Sequence, residues 1–302
     1  MSIILSKLEF VYGGLSSKCF RILPEHMRRG VAQFRFTSAT ERVMMVSLRT
    51  EALEASTSIG AETSEFAWRQ SYYLMGLMEL SLGDIDLAVV LAPHPVDETL
   101  GLGGTITTLL SKGTTVIVMT ASDGESSRLN SRVISRDEMR TRRQNEARAA
   151  LGVLGDGQRG NALNVQLHLP DGNLAGVEME LAEHLQRFLG PRDICFATWE
   201  FDGHPDHEAA GRAARTACEN SGARLVQFPV DMWRRSSIGD STIPWGDARR
   251  VSLGVGQVSR KNQAISCYES QIRPIHAIDD DEPIILPLTL AHFQRSFEVV
   301  FV

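Results

Sequence analysis

DLAVVLA (86–92), followed at once by PHPVDETLGLGG (93–104), is the stretch from which the fold can be read. The run from Leu87 to Ala92 is apolar without alternation, the mark of a strand buried on both faces. An imidazole and two carboxylates come directly after it, and a helix is expected over about Asp97–Lys112. Downstream the pattern repeats. TTVIVMTA (114–121), VQLHL (165–169), DICFATW (193–199), RLVQFPV (224–230) and SFEVVFV (296–302) read as strands. Arg136–Gly152, Gly176–Leu189, Asp206–Asn220 and residues 256–272 read as helices. This alternation predicts an α/β fold with a doubly wound, mostly parallel, Rossmann-like sheet covered on both faces. Ligands of such sheets bind outside the carboxyl ends of the strands, so chemistry is sought just after each strand.

Upstream the chain changes character. Residues 1–82 hold Ser/Thr-rich patches, two expected helices (Thr40–Ala55 and Ser64–Leu80) and no catalytic motif. Ser64 is placed as the N-cap of the second helix and Gly83 as its stop. Phe66, Trp68, Tyr72, Tyr73, Met75, Leu77 and Met78 on that helix read as packing against the main body. The expected organisation is a helical N-terminal extension over 1–82 and an α/β domain over 83–302. Three roles stay open for the extension: a lid over the site, a contact between copies in a homo-oligomer, or a brace for the sheet.

The 302 residues are 43 % hydrophobic and 23 % charged, which supports a sizeable core and excludes global disorder. With 37 acidic against 31 basic residues the net charge is −6, which gives no footprint for nucleic acid or an anionic membrane. Cys19, Cys195, Cys218 and Cys267 are scattered, so neither a disulfide framework nor a cysteine zinc site is expected. Reduced thiols suit a cytoplasmic location. No apolar run approaches a membrane span, and Lys7 and Glu9 interrupt the N-terminus too early for a signal peptide.

Two segments carry the chemistry. Pro93-His94-Pro95-Val96-Asp97-Glu98 follows the first buried strand, and Asp202-Gly203-His204-Pro205-Asp206-His207 follows DICFATW. Each gathers imidazole and carboxylate at short spacing between a strand and a helix, the ligand set of zinc or a similar divalent ion. A lone histidine in such a place is an ordinary loop residue. Two such clusters in one α/β unit bring a metal site level with the loop reading.

These stretches resemble the LmbE-like, or PIG-L, metal-dependent N-deacetylases. His-Pro-x-Asp-Glu with LGLGG looks like the family's first motif. TASDGE (120–125), Arg143 and Glu146 before AALG, LPDG (169–172), GHPDH (203–207), FPVDMW (228–233) and KNQAISCYESQ (261–271) fall in the family's order. The resemblance covers about residues 84–273. It implies that His94, Asp97 and His207 are metal ligands, with Zn2+ the usual ion. It implies that His204 stabilises the oxyanion of a tetrahedral intermediate and protonates the leaving amine, that Asp206 orients an imidazole, and that Arg143 binds substrate. The implied substrate is a small N-acetyl sugar or glycoconjugate. One position departs from the pattern: where the family has an aspartate acting as general base on the attacking water, this chain has Val96.

Valine cannot take a proton, and a lost general base typically removes ~10²–10⁴-fold in rate. Glu98, Asp123 and Asp202 also lie at strand ends, but their spacing suits loop or cap residues better than a replacement base. The glycines of LGLGG fail the dinucleotide fingerprint, since position 106 is Ile, and Gly101, Gly103 and Gly104 read as close helix–sheet packing. Arg136, Arg140 and Arg142 read as a solvated helix face, and His168 and His184 as structural. Two functions therefore compete: a zinc-dependent hydrolase that removes an acetyl or acyl group from an N-acylated amino sugar, and a catalytically impaired relative that binds a ligand or partner. A transferase with a nucleotide-like cofactor at the glycine-rich loop is the weakest reading.

Overall fold

The computed structural model describes residues 62–127, 134–275 and 282–302, so Cys19 and the helix expected over Thr40–Ala55 lie outside the described residues. The first elements are α1 (Glu65–Gln70), α2 (Tyr72–Met75) and β1 (Met78–Glu79). Ser64 caps α1 by accepting from Ala67 N, as expected. The single helix predicted over Ser64–Leu80 is nevertheless broken. Ser71 takes extended angles (φ −71°, ψ 140°) and its hydroxyl accepts from Leu74 N, so a side chain competes with the helical ladder. The buried Trp68 of α1 meets Trp233 edge-on, with ring centroids 5.3 Å apart.

The alternating region follows as β2 (Leu87–Ala92), α3 (Asp97–Lys112), β3 (Thr115–Ser122), α4 (Arg136–Gly155), β4 (Ala162–Leu169), a 3-10 turn (Leu174–Val177), α5 (Glu178–Gln186), β5 (Ile194–Thr198), α6 (Pro205–Ser221) and β6 (Arg224–Phe228). The chain closes with α7 (Met232–Arg235), β7 (Ala248–Ser252), α8 (Val255–Ile265), α9 (Glu269–Ile272), α10 (Pro287–Ala291) and β8 (Phe297–Phe301). The helix expected over 256–272 is thus two helices. β7 was not foreseen: Arg249 and Arg250 interrupt its apolar pattern.

One sheet of eight strands results, in the order β1-β7-β8-β6-β5-β2-β3-β4. β8 runs antiparallel to β6 and β7, and the other pairings are parallel. Successive strand residues serve opposite faces. Ala88, Val90, Val116, Val118, Ile194 and Phe196 enter one core, while Val89, Leu91, Ile117, Met119, Cys195 and Ala197 enter the other. The first core is shared with α3, α4 and α8, and the second with α5 and α6. Cys195 and Cys218 are buried in it as free thiols.

The order reverses between β2 and β5. From β2 the chain moves outward through β3 to β4, then returns to lay β5 against the other side of β2. Their carboxyl ends open a crevice at this reversal, the usual place for a ligand in such sheets. Close packing sets its width. A Cβ at Gly211 in α6 would stand 2.7 Å from Thr198 O, and one at Gly101 in α3 would stand 2.2 Å from the Phe228 ring. The glycine-rich segment thus serves helix–sheet packing. No helix among the described residues is long and apolar enough to cross a membrane.

A polar knot ties α1 to the C-terminal segment. Glu65 accepts from Arg295 and faces His292 Nδ1 at 2.9 Å, while Glu62 faces His292 Nε2 at 2.9 Å. Burial alone would raise the Glu65 pKa, but the bonds from His292 and Arg295 overcome it and lower the value to about 2. A depressed folded-state pKa stabilises above the unfolded value, and that stability is lost as pH falls toward the folded one. Acid unfolding should therefore begin below about pH 4.5 and continue toward pH 2. Glu65→Gln should flatten this limb and remove about 1–3 kcal/mol at neutral pH, allowing for solvent screening. Urea titrations at pH 7 and pH 3 check it: equal losses at both would show that the carboxylate charge is not the source.

Candidate metal centre

The PHPVDE loop leaves β2 and enters α3, bringing His94 and Asp97 to the crevice from one side. The GHPDH segment leaves β5 and enters α6, bringing His204, Asp206 and His207 from the other. Pro205 stands in the first turn of α6, and His204 is its N-cap, with Nδ1 accepting from Asp206 N. The imidazoles of His94 and His207 lie 5.4 Å apart by ring centroids, His94 and His204 5.1 Å, and His204 and His207 4.5 Å.

Asp97 is the focus. Its Oδ2 lies 3.3 Å from His94 Nδ1 and 3.3 Å from His207 Nε2, and accepts from His94 N at 3.0 Å. One ligand atom from each of His94, Asp97 and His207 falls within 4.8 Å of the others, as do those of His94, His204 and Asp206. The far nitrogen of each expected ligand is held by a carboxylate. Nε2 of His94 lies 3.2 Å from Asp206 Oδ2 and 3.2 Å from Asp171 Oδ1. Nδ1 of His207 lies 2.6 Å from Asp202 Oδ2. A proton kept on the far nitrogen leaves the near nitrogen's lone pair for an ion, the arrangement that orients histidine ligands in metal sites.

The carboxylates are themselves fixed. Asp202 accepts from Val230 N, Asp231 N and Met232 N, and Asp206 from Gly172 N and Leu174 N. FPVDMW and LPDG thus supply backbone donors to the two carboxylates behind the imidazoles. Four aspartates (Asp97, Asp171, Asp202, Asp206) meet three histidines in a largely buried space, an excess of negative charge that calls for a cation. For His207, burial would lower the pKa, but Asp97 and Asp202 raise it to about 9. His94 is also raised: burial opposes, and Asp171, Asp206 and Asp97 prevail. His204 is lowered by burial and by the neighbouring His207 and His94.

KNQAISCYESQ acts as a brace for the first motif. Gln271 Nε2 donates to Pro95 O at 2.7 Å, and Tyr268 donates to the buried Glu98. Ser270 donates twice to Glu146 of α4. The carboxylates weighed as replacement bases are all engaged: Glu98 by Thr99 and Tyr268, Asp202 by His207, and Asp123 by Gln144 and His168. Asp171, quoted only within LPDG, is the contact sequence reasoning missed. Arg143 is buried, its Nη1 2.0 Å from where a Cβ on Gly124 would stand, and its charge helps to lower the Asp171 pKa against burial. Arg136 and Arg142 are exposed, as expected of a solvated face.

Val96 stands in the middle of this. It is 3 % exposed, packs with the larger core cluster and has φ 117°. A β-branched residue there is an outlier. It is the N-cap of α3, with no side-chain cap bond.

An α/β sheet with a His/Asp/His cluster at its strand-order reversal defines the class of protein. Residues 89–218 match the family model described as PIG-L, GlcNAc-PI de-N-acetylase. Solved structures share the fold. N,N'-diacetylchitobiose deacetylase from Pyrococcus horikoshii is 20 % identical, covering 71 % of this chain and 82 % of its own, with a TM-score of 0.50. The A40926 pseudoaglycone deacetylase is 18 % identical, covering 72 % and 97 %, with a TM-score of 0.53. The zinc-inhibited form of teicoplanin deacetylase is 18 % identical, covering 62 % and 85 %, with a TM-score of 0.51. At these identities the likeness is one of fold. No curated protein matches the chain.

Proposed function

We propose that this protein is a zinc-dependent hydrolase that removes an acetyl or acyl group from the nitrogen of an amino sugar or its conjugate. The observation that carries the reading is the pair of imidazoles flanking Asp97, each with its far nitrogen on a fixed carboxylate. The family match at residues 89–218 and the deacetylases of like fold support the substrate class. His94 Nδ1, Asp97 Oδ2 and His207 Nε2 would hold the ion. When bound, a divalent ion brings the pKa of water toward neutrality and polarises an amide carbonyl. His204, whose Nδ1 accepts from Asp206 N, stands beside the ligands, where its Nε2 would face a developing oxyanion and return a proton to the amine. Asp171, in contact with His94, and the buried Arg143, whose charge acts on it, would bind sugar hydroxyls.

A second reading has its own observation. Val96 fills the position of the expected base with buried methyl groups, which favours an impaired relative that binds without turnover. Metal content and an assay separate the readings. The purified chain should carry one divalent ion, and Asp202→Asn should weaken zinc binding about 10–100-fold by releasing the His207 ring. His207→Ala should remove most of the metal, read by elemental analysis, with circular dichroism unchanged. Unaltered stoichiometry in His207→Ala would overturn the ligand set. Full zinc occupancy without release of acetate from N-acetylglucosamine conjugates would favour the binding protein.

A further inference from the structure

β4, the edge strand beside the crevice, leaves regular pairing at one place. Thr120 pairs with Gln166 and Ser122 with Leu169, so Leu167 and His168 together face Ala121. This is a bulge, a device that re-aims a side chain at a sheet edge. His168 takes φ 56° there, a left-handed conformation that glycine adopts freely and other residues adopt at a cost. The ring is turned onto a buried carboxylate, with Nδ1 2.8 Å from Asp123 Oδ2, while the side chain stays 56 % exposed.

Asp123 does not need this histidine. Gln144 Nε2 donates to its Oδ1 at 2.9 Å, and Arg140 Nε lies 3.2 Å from its Oδ2. The bulge and the left-handed backbone therefore serve the imidazole rather than the carboxylate. With Nδ1 donating to Asp123, the neutral ring offers the Nε2 lone pair as a fixed acceptor. Residues next to this edge reach the metal cluster. Asp171, three residues further on, reaches His94 Nε2 at 3.2 Å, and Ser122 at the end of β3 donates to Pro93 O beside His94.

We propose that His168 is a specificity-determining residue at the rim of the crevice, its Nε2 accepting a hydrogen bond from a hydroxyl of a sugar-like substrate. The inference rests on the amino-sugar reading above and extends it to a contact outside the metal cluster. One neutral hydrogen bond of this kind is worth about 0.5–1.5 kcal/mol, or roughly 2–13-fold in affinity.

The test uses the full-length zinc-loaded chain and N-acetylglucosamine with its 3-, 4- and 6-deoxy analogues, with affinities from ligand-observed NMR titration. His168→Gly removes the ring and relieves the backbone, so its melting temperature should be unchanged or higher. Its Kd for the parent sugar should rise about 2–13-fold. One deoxy analogue should bind wild type and variant equally, which identifies the contacted hydroxyl. If the variant binds the parent sugar as wild type does, the His168 assignment fails and the amino-sugar reading stands. If every analogue keeps the full penalty, or the melting temperature falls sharply, His168 acts through the fold and the proposal is overturned. If wild type binds none of the sugars, the amino-sugar reading fails and takes this inference with it.

Discussion

Val96→Asp is expected to raise the rate of N-acetyl sugar hydrolysis on the order of 10²-fold or more, the usual worth of a positioned general base. The backbone already suits the change. At φ 117° a β-branched residue carries about 1–3 kcal/mol of strain, whereas aspartate and asparagine enter the left-handed region more readily. Position 96 is also the N-cap of α3, where either side chain can accept from the first turn and contribute about 0.5–2 kcal/mol. Against this stands the lost burial of two methyl groups. A carboxylate does not stay among the apolar neighbours that hold them, because an unpaired buried charge is costly. The imidazoles of His94 and His207, which flank the adjacent Asp97, are the cationic partners it would turn toward. Val96→Asn is the control: it shares the backbone tolerance and the cap but takes no proton at neutral pH. Both variants should show similar melting temperatures, and only the aspartate should gain turnover, measured as released acetate. A gain in neither would remove the account of a hydrolase lacking only its base. Asp123→Asn in the unaltered chain would then show whether that carboxylate serves, and Asp202→Asn would do the same for Asp202 only when assayed at saturating zinc, since it also holds the His207 ring.

Much of this site was legible because buried parallel strands write themselves as unbroken apolar runs. DLAVVLA and DICFATW announce β2 and β5, and the residues after each run necessarily meet at the strand-order reversal. The expected metal ligands sit just after those runs, and it is the family resemblance, not the spacing, that singles them out from the other imidazoles and carboxylates there. What stayed hidden depends on pairings distant in sequence. Asp202 reads as a loop residue until Val230, Asp231 and Met232 are seen to donate to it. Asp171 and His168 gain their meaning from His94 and Asp123, which only the sheet brings near. The bulge that re-aims His168 has no sequence signature beyond a histidine before Leu-Pro-Asp-Gly. Ser71 hid the break between α1 and α2 because a helical apolar pattern continues through it. β7 was missed for the opposite reason, since its arginines conceal a strand whose buried members are Ala248 and Val251.

Glu298→Gln should destabilise the fold by about 3–5 kcal/mol, the cost of breaking a buried ion pair from one side. Glu298 on β8 is 3 % exposed, and its Oε1 accepts from Lys261 Nζ at 2.7 Å. The same carboxylate accepts from Gly104 N, Thr105 N and Thr105 Oγ1 in the middle of α3. Burial lowers the Lys261 pKa, and Glu298 works against that shift. Removing the negative charge leaves a buried ammonium facing a neutral amide, while the shape of the contact is kept. Lys261→Met should cost less, because the carboxylate keeps its three donors in α3. In the double variant Lys261→Met/Glu298→Gln the loss should be smaller than the sum, since no unpaired charge remains. The melting temperature of Glu298→Gln should fall by roughly 5–8 °C for a chain of this size. The effect reaches the site through α3, whose first residue is Asp97. Loosening the middle of that helix should weaken zinc binding in Glu298→Gln well below its melting temperature. A variant that melts early yet binds zinc with wild-type affinity would show that the Lys261–Glu298 pair holds the sheet to α8 without positioning the ligands.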